Sequence, residues 1–421
     1  MRIYIEAFGC SLNRGESFEM VEGAVAMGHS LVPAPGLADI LVLDTCMVIQ
    51  ATESRMLARL KELGTLEKPI IVAGCLPAVA PERVLDRCPG AILIPPGRRD
   101  TFLAILSAPE TGSGVREMGN RSGHGREPGV VGEVPIASGC RGQCTYCIAR
   151  LARGELRSRP VDEIRARVGA LAGRGCREIR LSAQDSGLYG LDMGMDICGL
   201  LKSVCALEGD FRVRLGMMNP DTLEPVFDGL MAAYENTKMF RFLHIPVQSG
   251  DDDILERMGR GYKAADFVKI AERYHQRFPS GLLETDIIIG FPGEEEAQFE
   301  NTIELLQKAR PDMVNIKAFS PRPGTPAAGY PGRPSRDVVR ARMRRLNDLR
   351  RRISLENNRV LEGRTEEVLV TEWARGGVLA RTADYRPILI KRSLPLGTFL
   401  DGLLKEARPG FMIGEPESRC T

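Results

Sequence analysis

Three things are missing from this sequence of 421 residues. No apolar run approaches the roughly 20 residues that a membrane-spanning helix requires. The opening residues, Met1-Arg2-Ile3-Tyr4-Ile5-Glu6, enter a strand-like pattern at once, without the charged-then-apolar grammar of a signal peptide. The expectation is a soluble, cytoplasmic protein with no membrane partner. An excess of charge of one sign is missing too, since 57 Lys and Arg face 55 Asp and Glu for a net charge of +2. Any nucleic-acid partner must therefore be met by a local basic patch and not by a global field. The third absence is a disulfide framework: the eleven cysteines are odd in number and scattered, unlike the paired sets of small secreted domains. Reduced thiols acting as metal ligands suit that distribution better.

What is present begins with Gly139-Cys140-Arg141-Gly142-Gln143-Cys144-Thr145-Tyr146-Cys147, three cysteines in eight residues. The spacing is tight and one ligand short for a closed zinc site, which takes four protein ligands, usually in two separated pairs. A 4Fe-4S cluster held by three thiolates keeps one iron open. Two alternatives stand beside it: structural cysteines in a turn, or a zinc knuckle with a distant fourth ligand. The loop resembles that of the radical S-adenosylmethionine (SAM) enzymes. The resemblance implies that SAM chelates the open iron and is cleaved by an electron from the cluster to a 5′-deoxyadenosyl radical.

Residues 1–106 read as a small parallel α/β domain. Strands Arg2 to Ala7, Asp39 to Asp44 and Pro69 to Ala73 alternate with helical patterns near Gly15 to Ala26 and Thr52 to Leu63. Cys10, Cys46 and Cys75 each follow one of these strands, 36 and 29 residues apart, about one βαβ unit each time. Parallel strands deliver their loops to one edge, where open α/β sheets bind ligands. The three thiols would meet there as a second cluster site, with small Gly9, Thr45 and Gly74 letting the backbone come close. Cysteines that merely pack at strand ends are the alternative. Cys88 lacks a preceding strand and reads as structural.

The glycine-rich stretch 107–133 reads as a linker, with His124 an exposed polar residue inside it. From residue 134 to 358 strand and helix patterns alternate six times, with strands Val134 to Ser138, Glu178 to Ser182, Phe211 to Gly216, Phe242 to Val247, Leu283 to Ile289 and Met313 to Phe319. Six βα units make a partial TIM-like (βα)6 barrel whose site lies on the face formed by the loops after the strands. Gln184, Asp185, Asn219, Gln248 and the turn Gly290 to Glu294 fall on that rim. Arg333 to Arg359 holds ten arginines against three acidic residues. It is read either as a phosphate-binding face, since arginine's planar fork suits phosphate, or as a solvated one. Residues 362–421 form short strand patterns of a small β-barrel with nine basic and nine acidic residues. RNA binding there would rest on placed groups such as Arg381, Tyr385, Arg386, Lys391 and Arg392.

Together these stretches resemble the radical SAM methylthiotransferases along essentially the whole chain: an auxiliary-cluster domain, a radical SAM barrel and a C-terminal TRAM domain. Ala152-Arg153-Gly154, Ser158-Arg159-Pro160, Ser182 to Gly190, Arg214 to Pro220, Phe242 to Gly250 and Arg322 to Ala328 look like the archaeal and eukaryotic branch acting on threonylcarbamoyladenosine in tRNA. The resemblance implies transfer of a methylthio group to carbon 2 of adenosine 37, in the anticodon stem-loop. That carbon carries an unactivated C–H bond which acid–base catalysis cannot reach. Cys140, Cys144 and Cys147 would hold the radical-generating 4Fe-4S cluster, and Cys10, Cys46 and Cys75 the second one, which binds the sulfur to be methylated and delivered. Tyr146 would pack on the nucleoside of SAM, Gly290 would open the turn accepting its adenine, and Gln184, Asp185 and Gln248 would line the same site. A ferredoxin or flavodoxin reductant and a sulfur donor complete the expected partners. Isopentenyladenosine in tRNA or a ribosomal-protein aspartate are alternative substrates, and an iron-sulfur electron carrier or scaffold is an alternative of another class. Cys176, Cys198, Cys205 and Cys420 match no ligand position and read as structural.

Overall fold

The computed structural model describes residues 1–48, 50–107 and 129–417. Most of the expected linker, with His124, and Cys420 lie outside the described residues. The chain divides into two compact units. One holds residues 1–107 with Ser138–Cys140 and Cys147–Arg157; the other begins at residue 129 and holds the rest, Arg141–Tyr146 among them.

The first unit is a five-stranded parallel sheet of β1 (Arg2–Ala7), β2 (Ser30–Leu31), β3 (Ile40–Thr45), β4 (Ile70–Gly74) and β5 (Ile92–Ile94), in the order β2-β1-β3-β4-β5. The inner strands β3 and β4 are buried at every residue. Strands covered on both faces read as continuous apolar runs, which is why Ile-Leu-Val-Leu and Ile-Ile-Val-Ala show no alternation. Leu41, Leu43 and Val72 pack on one side of the sheet, Val42, Ile71 and Ala73 on the other. Helices Ser11–Ala26 and Gln50–Gly64 return the chain after β1 and β3. The two edge strands β2 and β5 were too short for a periodicity argument.

The second unit contains six parallel strands in chain order, Val131–Pro135, Glu178–Ser182, Arg212–Leu215, Phe242–His244, Leu282–Ile289 and Met313–Ala318. They form two three-stranded sheets, first-second-third and fourth-fifth-sixth. A parallel bridge between Val213 and Met239 and the Met218 N–H donating to His244 O carry the third strand toward the fourth. The first strand begins three residues before its expected start. Its Gly132, read as linker, lies where a Cβ would stand 2.9 Å from Leu171 Cδ1, so a side chain there would have to push the leucine tip aside.

A closed five-stranded barrel follows, from Thr365–Ala374 to Phe411–Pro416. This barrel sits against the N-terminal ends of the six parallel strands, away from the rim. Tyr385 Oη donates to Glu178 Oε1 at 2.7 Å, and its ring lies 4.9 Å from Phe240 and 4.8 Å from Phe242. Arg386 reaches Asp312 Oδ1 at 2.9 Å and Asn358 Oδ1 at 2.6 Å. Arg381 lies over the Tyr385 ring. Tyr385 and Arg386 are buried, so these two groups, expected to meet RNA, instead fasten one barrel to the other; Lys391 and Arg392 remain exposed. The arginine-rich helix Arg336–Arg359 is similarly divided. Arg342 is buried and Arg350 donates to Val314 O, while Arg344, Arg351 and Arg352 face solvent.

Candidate active site

In the first unit the strand order brings Cys10, Cys46 and Cys75 to the same edge. Cys10 follows β1 and precedes Ser11–Ala26, Cys46 follows β3, and Cys75 opens the short helix after β4. Their loops are laced together. Asn13 Nδ2 donates to Thr45 O at 2.8 Å and to Phe8 O at 3.3 Å. Thr45 Oγ1 donates to Ala73 O at 2.6 Å and accepts from the Leu76 N–H at 3.3 Å. Gly9 and Gly74 have φ of +123° and +93°. A Cβ at Gly9 would stand 2.9 Å from Cys46 Cβ, and one at Gly74 2.9 Å from Thr45 N. These glycines let the loops approach one another.

Burial pushes the Cys75 thiol up to about 12 and raises Cys46 as well, with Cys10 adding to both. A metal bound here would have to displace those protons. Asp44, beside them in β3, is raised to about 7 by burial, and the Ser17 hydroxyl donates to it. The cation in this nest is Arg153. Burial opposes its charge, but Glu16 more than offsets that. Arg153 Nη1 and Nη2 meet Glu16 at 2.6 and 2.9 Å, and Nη2 meets Asn13 Oδ1 at 2.5 Å. Nothing local in Ala152-Arg153-Gly154 marks Arg153 for this place.

The cysteine loop itself is braced in each unit. In the first, the Cys140 N–H donates to Gly154 O at 3.2 Å, and Gly139, at φ +81°, leaves no room for a Cβ against the Glu155 carbonyl. Cys147 caps the helix Ile148–Arg153. In the second, Arg260 Nη1 donates to Cys144 Sγ at 3.2 Å, while its Nε reaches Tyr262 Oη and its Nη2 reaches Pro246 O, both at 2.8 Å. Thr145 exchanges backbone hydrogen bonds with Met258 and Ala327. Tyr146 meets Phe291 edge-on, 6.3 Å between centroids, against Ile254, Met258 and Ala327.

The other expected residues lie at the C-terminal rim of the six strands. Ser182 Oγ, Gln184 Oε1 and Ser186 Oγ, all after or at the end of the second strand, and Ser320 Oγ after the sixth, are buried without a hydrogen-bond partner. Such orphaned groups are expensive unless a ligand meets them. Asp185 is raised to about 6 by burial; it accepts from Thr222 Oγ1 at 2.9 Å, the Gly187 N–H at 3.0 Å and Asn219 Nδ2 at 2.6 Å. It orients its neighbours. Gln248 holds φ at +71°, a conformation that costs a non-glycine residue energy and collects at functional sites. The Gly290 N–H donates to Glu294 Oε2 at 2.6 Å, and Arg342 Nη1 donates to the same oxygen at 3.0 Å. The turn is thereby locked by an arginine 48 residues away. His244 and Asp286, on the fourth and fifth strands, pair at 3.2 Å between Nε2 and Oδ2. Burial works against both charges, yet their contact raises the histidine and lowers the aspartate.

Among the described residues no three His, Cys, Asp or Glu side chains are close enough to share one metal ion, whose sulfur ligands would stand about 3.8 Å apart. The fit to an iron-sulfur cluster rests on donor chemistry, three thiols in one loop with a cation donating to one of them. The fit to SAM rests on the orphaned polar groups of the rim.

A family profile for the radical SAM superfamily matches residues 134–306, and one for the uncharacterized protein family UPF0004 matches residues 2–94. The chain is 38% identical to a probable threonylcarbamoyladenosine tRNA methylthiotransferase of Pyrococcus abyssi over 99% of both proteins. It is 33% identical to one of Methanothermobacter thermautotrophicus over 99% of both. Against the Homo sapiens threonylcarbamoyladenosine tRNA methylthiotransferase the identity is 30%, over 99% of this chain and 74% of that one. Among solved structures, the radical SAM methyltransferase TsrM of Kitasatospora setae superposes with a TM-score of 0.60 at 13% identity, covering 78% of this chain and 76% of that one. That likeness concerns fold. A radical SAM domain works with a 4Fe-4S cluster and SAM. The chain belongs to the threonylcarbamoyladenosine tRNA methylthiotransferase family of radical SAM enzymes.

Proposed function

We propose that the protein transfers a methylthio group to carbon 2 of threonylcarbamoyladenosine at position 37 of tRNA. The observation that carries this reading is the second cysteine triad. Radical SAM enzymes in general need one cluster, and sulfur insertion calls for a place to hold sulfur. Cys10, Cys46 and Cys75, laced by Asn13 and Thr45 at one sheet edge, supply such a place for a second 4Fe-4S cluster. When bound, the clusters and SAM supply the radical that opens the C–H bond and the methylated sulfur that replaces its hydrogen.

The chain's own residues bind and orient. Cys140, Cys144 and Cys147 hold the radical-side cluster, Arg260 sets the charge beside Cys144, and Tyr146 with the Gly290 turn seats the nucleoside of SAM. Gln184 offers its orphaned Oε1 to the ligand, Asp185 fixes Asn219 beside it, and Gln248 shapes the rim. The assigned segments are 1–106 for the auxiliary cluster, 134–358 for the radical SAM barrel and 362–421 for the TRAM barrel. Lys391 and Arg392, with the exposed Trp373 and Arg375, are among the TRAM groups available to tRNA. A tRNA substrate implies the cytoplasm, and the reaction needs a ferredoxin- or flavodoxin-like reductant and a sulfur donor. No helix among the described residues is long and apolar enough to cross a membrane.

The test is anaerobic reaction of the reconstituted, reduced protein with SAM and tRNA, followed by mass spectrometry of the digested nucleosides. A methylthio gain on threonylcarbamoyladenosine alone is the expected result. Gain on isopentenyladenosine or on ribosomal protein would move the substrate, and absence of deoxyadenosine would support an electron carrier.

A further inference from the structure

The short helix Ile148–Arg153 joins two things that sequence separates. Its N-cap is Cys147, a ligand of the radical-side triad, and its last residue is Arg153, which enters the polar nest beside the auxiliary triad. Six residues of helix set these ends about 9 Å apart. Ile148 is buried and Ala152 half-buried against the same apolar cluster as Leu43, Met47 and Cys75, so one face is seated in the core. At its C-terminal end the Gly154 carbonyl accepts from Cys140 N–H, returning to a second ligand of the radical-side loop.

Arg153 is the hub on the other side. Its side chain is 1% exposed and its fork grips both oxygens of Glu16. Nη2 also holds Asn13, whose amide ties Phe8 O, just before Cys10, to Thr45 O, just before Cys46. Thr45 continues the chain of contacts to Ala73 and Leu76, on either side of Cys75. One guanidinium thus anchors a network that touches all three auxiliary loops. A lone buried cation would be costly, and a bidentate carboxylate is the partner that makes it tolerable.

We propose that Arg153 is a positioning residue which fixes Cys140 and Cys147 relative to Cys10, Cys46 and Cys75, and whose charge favours the thiolate-bound auxiliary cluster. The proposal rests on the two-cluster reading above. Its function is coupling: a radical generated beside Cys140 and Cys147 would be productive only if the sulfur held by Cys10, Cys46 and Cys75 stood within reach, and a misplacement of about 1 Å costs on the order of 100-fold.

The test uses the full-length protein with Arg153→Met, Arg153→Lys, Asn13→Ala and wild type. It reads iron content, the auxiliary cluster's midpoint potential and electron paramagnetic resonance signal, and the ratio of deoxyadenosine to methylthio nucleoside. In Arg153→Met the auxiliary signal should be lost or its potential shifted downward, with the ratio rising at least tenfold. Arg153→Lys should recover the potential and not the ratio. Asn13→Ala, which keeps the charge and cuts the lacing, should raise the ratio severalfold at unchanged potential; it stands as the test if Arg153→Met does not fold. Wild-type iron, potential and ratio in Arg153→Met, or a wild-type ratio in Asn13→Ala, would overturn the proposal. A wild-type protein that makes deoxyadenosine but no methylthio product would overturn the two-cluster reading instead.

Discussion

The two cysteine triads reach similar donor sets by opposite routes. Cys140, Cys144 and Cys147 sit in one loop, so chain connectivity itself keeps them close, and folding has only to shape the loop. Cys10, Cys46 and Cys75 come from three strand ends, and nothing but the parallel order β1-β3-β4 brings them to one edge. Each triad has its own arginine, Arg153 with a buried side chain and Arg260 half-buried, and these differ in the same sense. Arg260 donates straight to Cys144 Sγ, a sulfur proposed to ligate the cluster. Arg153 grips a carboxylate and an amide that hold the loops. A loop-borne site needs its electronics tuned; a site assembled from distant strands needs its parts held in place.

Breaking the loop-borne triad has the largest consequence. Cys144→Ala should abolish both deoxyadenosine formation and methylthio transfer, a loss above 1,000-fold in an anaerobic single-turnover assay, on the order of removing an essential catalytic group. Arg260→Met comes next. A hydrogen bond to a charged group is worth about 1.5–3 kcal/mol, which for one electron corresponds to at most roughly 65–130 mV. The radical-side cluster should therefore become harder to reduce, its midpoint falling in a spectroelectrochemical titration. An unchanged midpoint would leave Arg260 as packing alone.

Legibility followed the same division. The placement of both triads could be read from spacing, one from eight contiguous residues and the other from the βαβ interval, because closely spaced cysteines and parallel strand ends are each recurrent patterns. The arginines could not. Arg153 meets Glu16 across 137 residues and Arg260 meets Cys144 across 116, and no local pattern marks such a pair. Arg342 was read as one of ten arginines in the stretch Arg333 to Arg359, yet it closes the Gly290 to Glu294 turn through Glu294. Tyr385 and Arg386 failed in the reverse direction: a tyrosine and an arginine in a small β-barrel are as suitable for RNA as for an internal joint, and only burial decides.

Two smaller effects sharpen the contrast between electronic and positioning roles. Arg342→Met leaves Glu294 buried without its cation, which should weaken SAM binding about tenfold through the Gly290 turn while leaving the potentials of both clusters in place. Isothermal titration with SAM checks the first part and redox titration the second. Tyr385→Phe removes a hydrogen bond to the buried Glu178, and should cost about 1–3 kcal/mol of stability in denaturant unfolding. It should not change the ratio of deoxyadenosine to product, because the joint lies at the strand ends opposite the rim.

On the proposed function the two triads do separate work, one making the radical and the other presenting sulfur. The most direct measurement quantifies deoxyadenosine and methylthio nucleoside in the same reaction for Cys46→Ala. Deoxyadenosine should persist within a few-fold of wild type while the methylthio product disappears. Methylthio transfer surviving in Cys46→Ala, or loss of deoxyadenosine along with it in a folded protein that retains its radical-side cluster, would contradict the account.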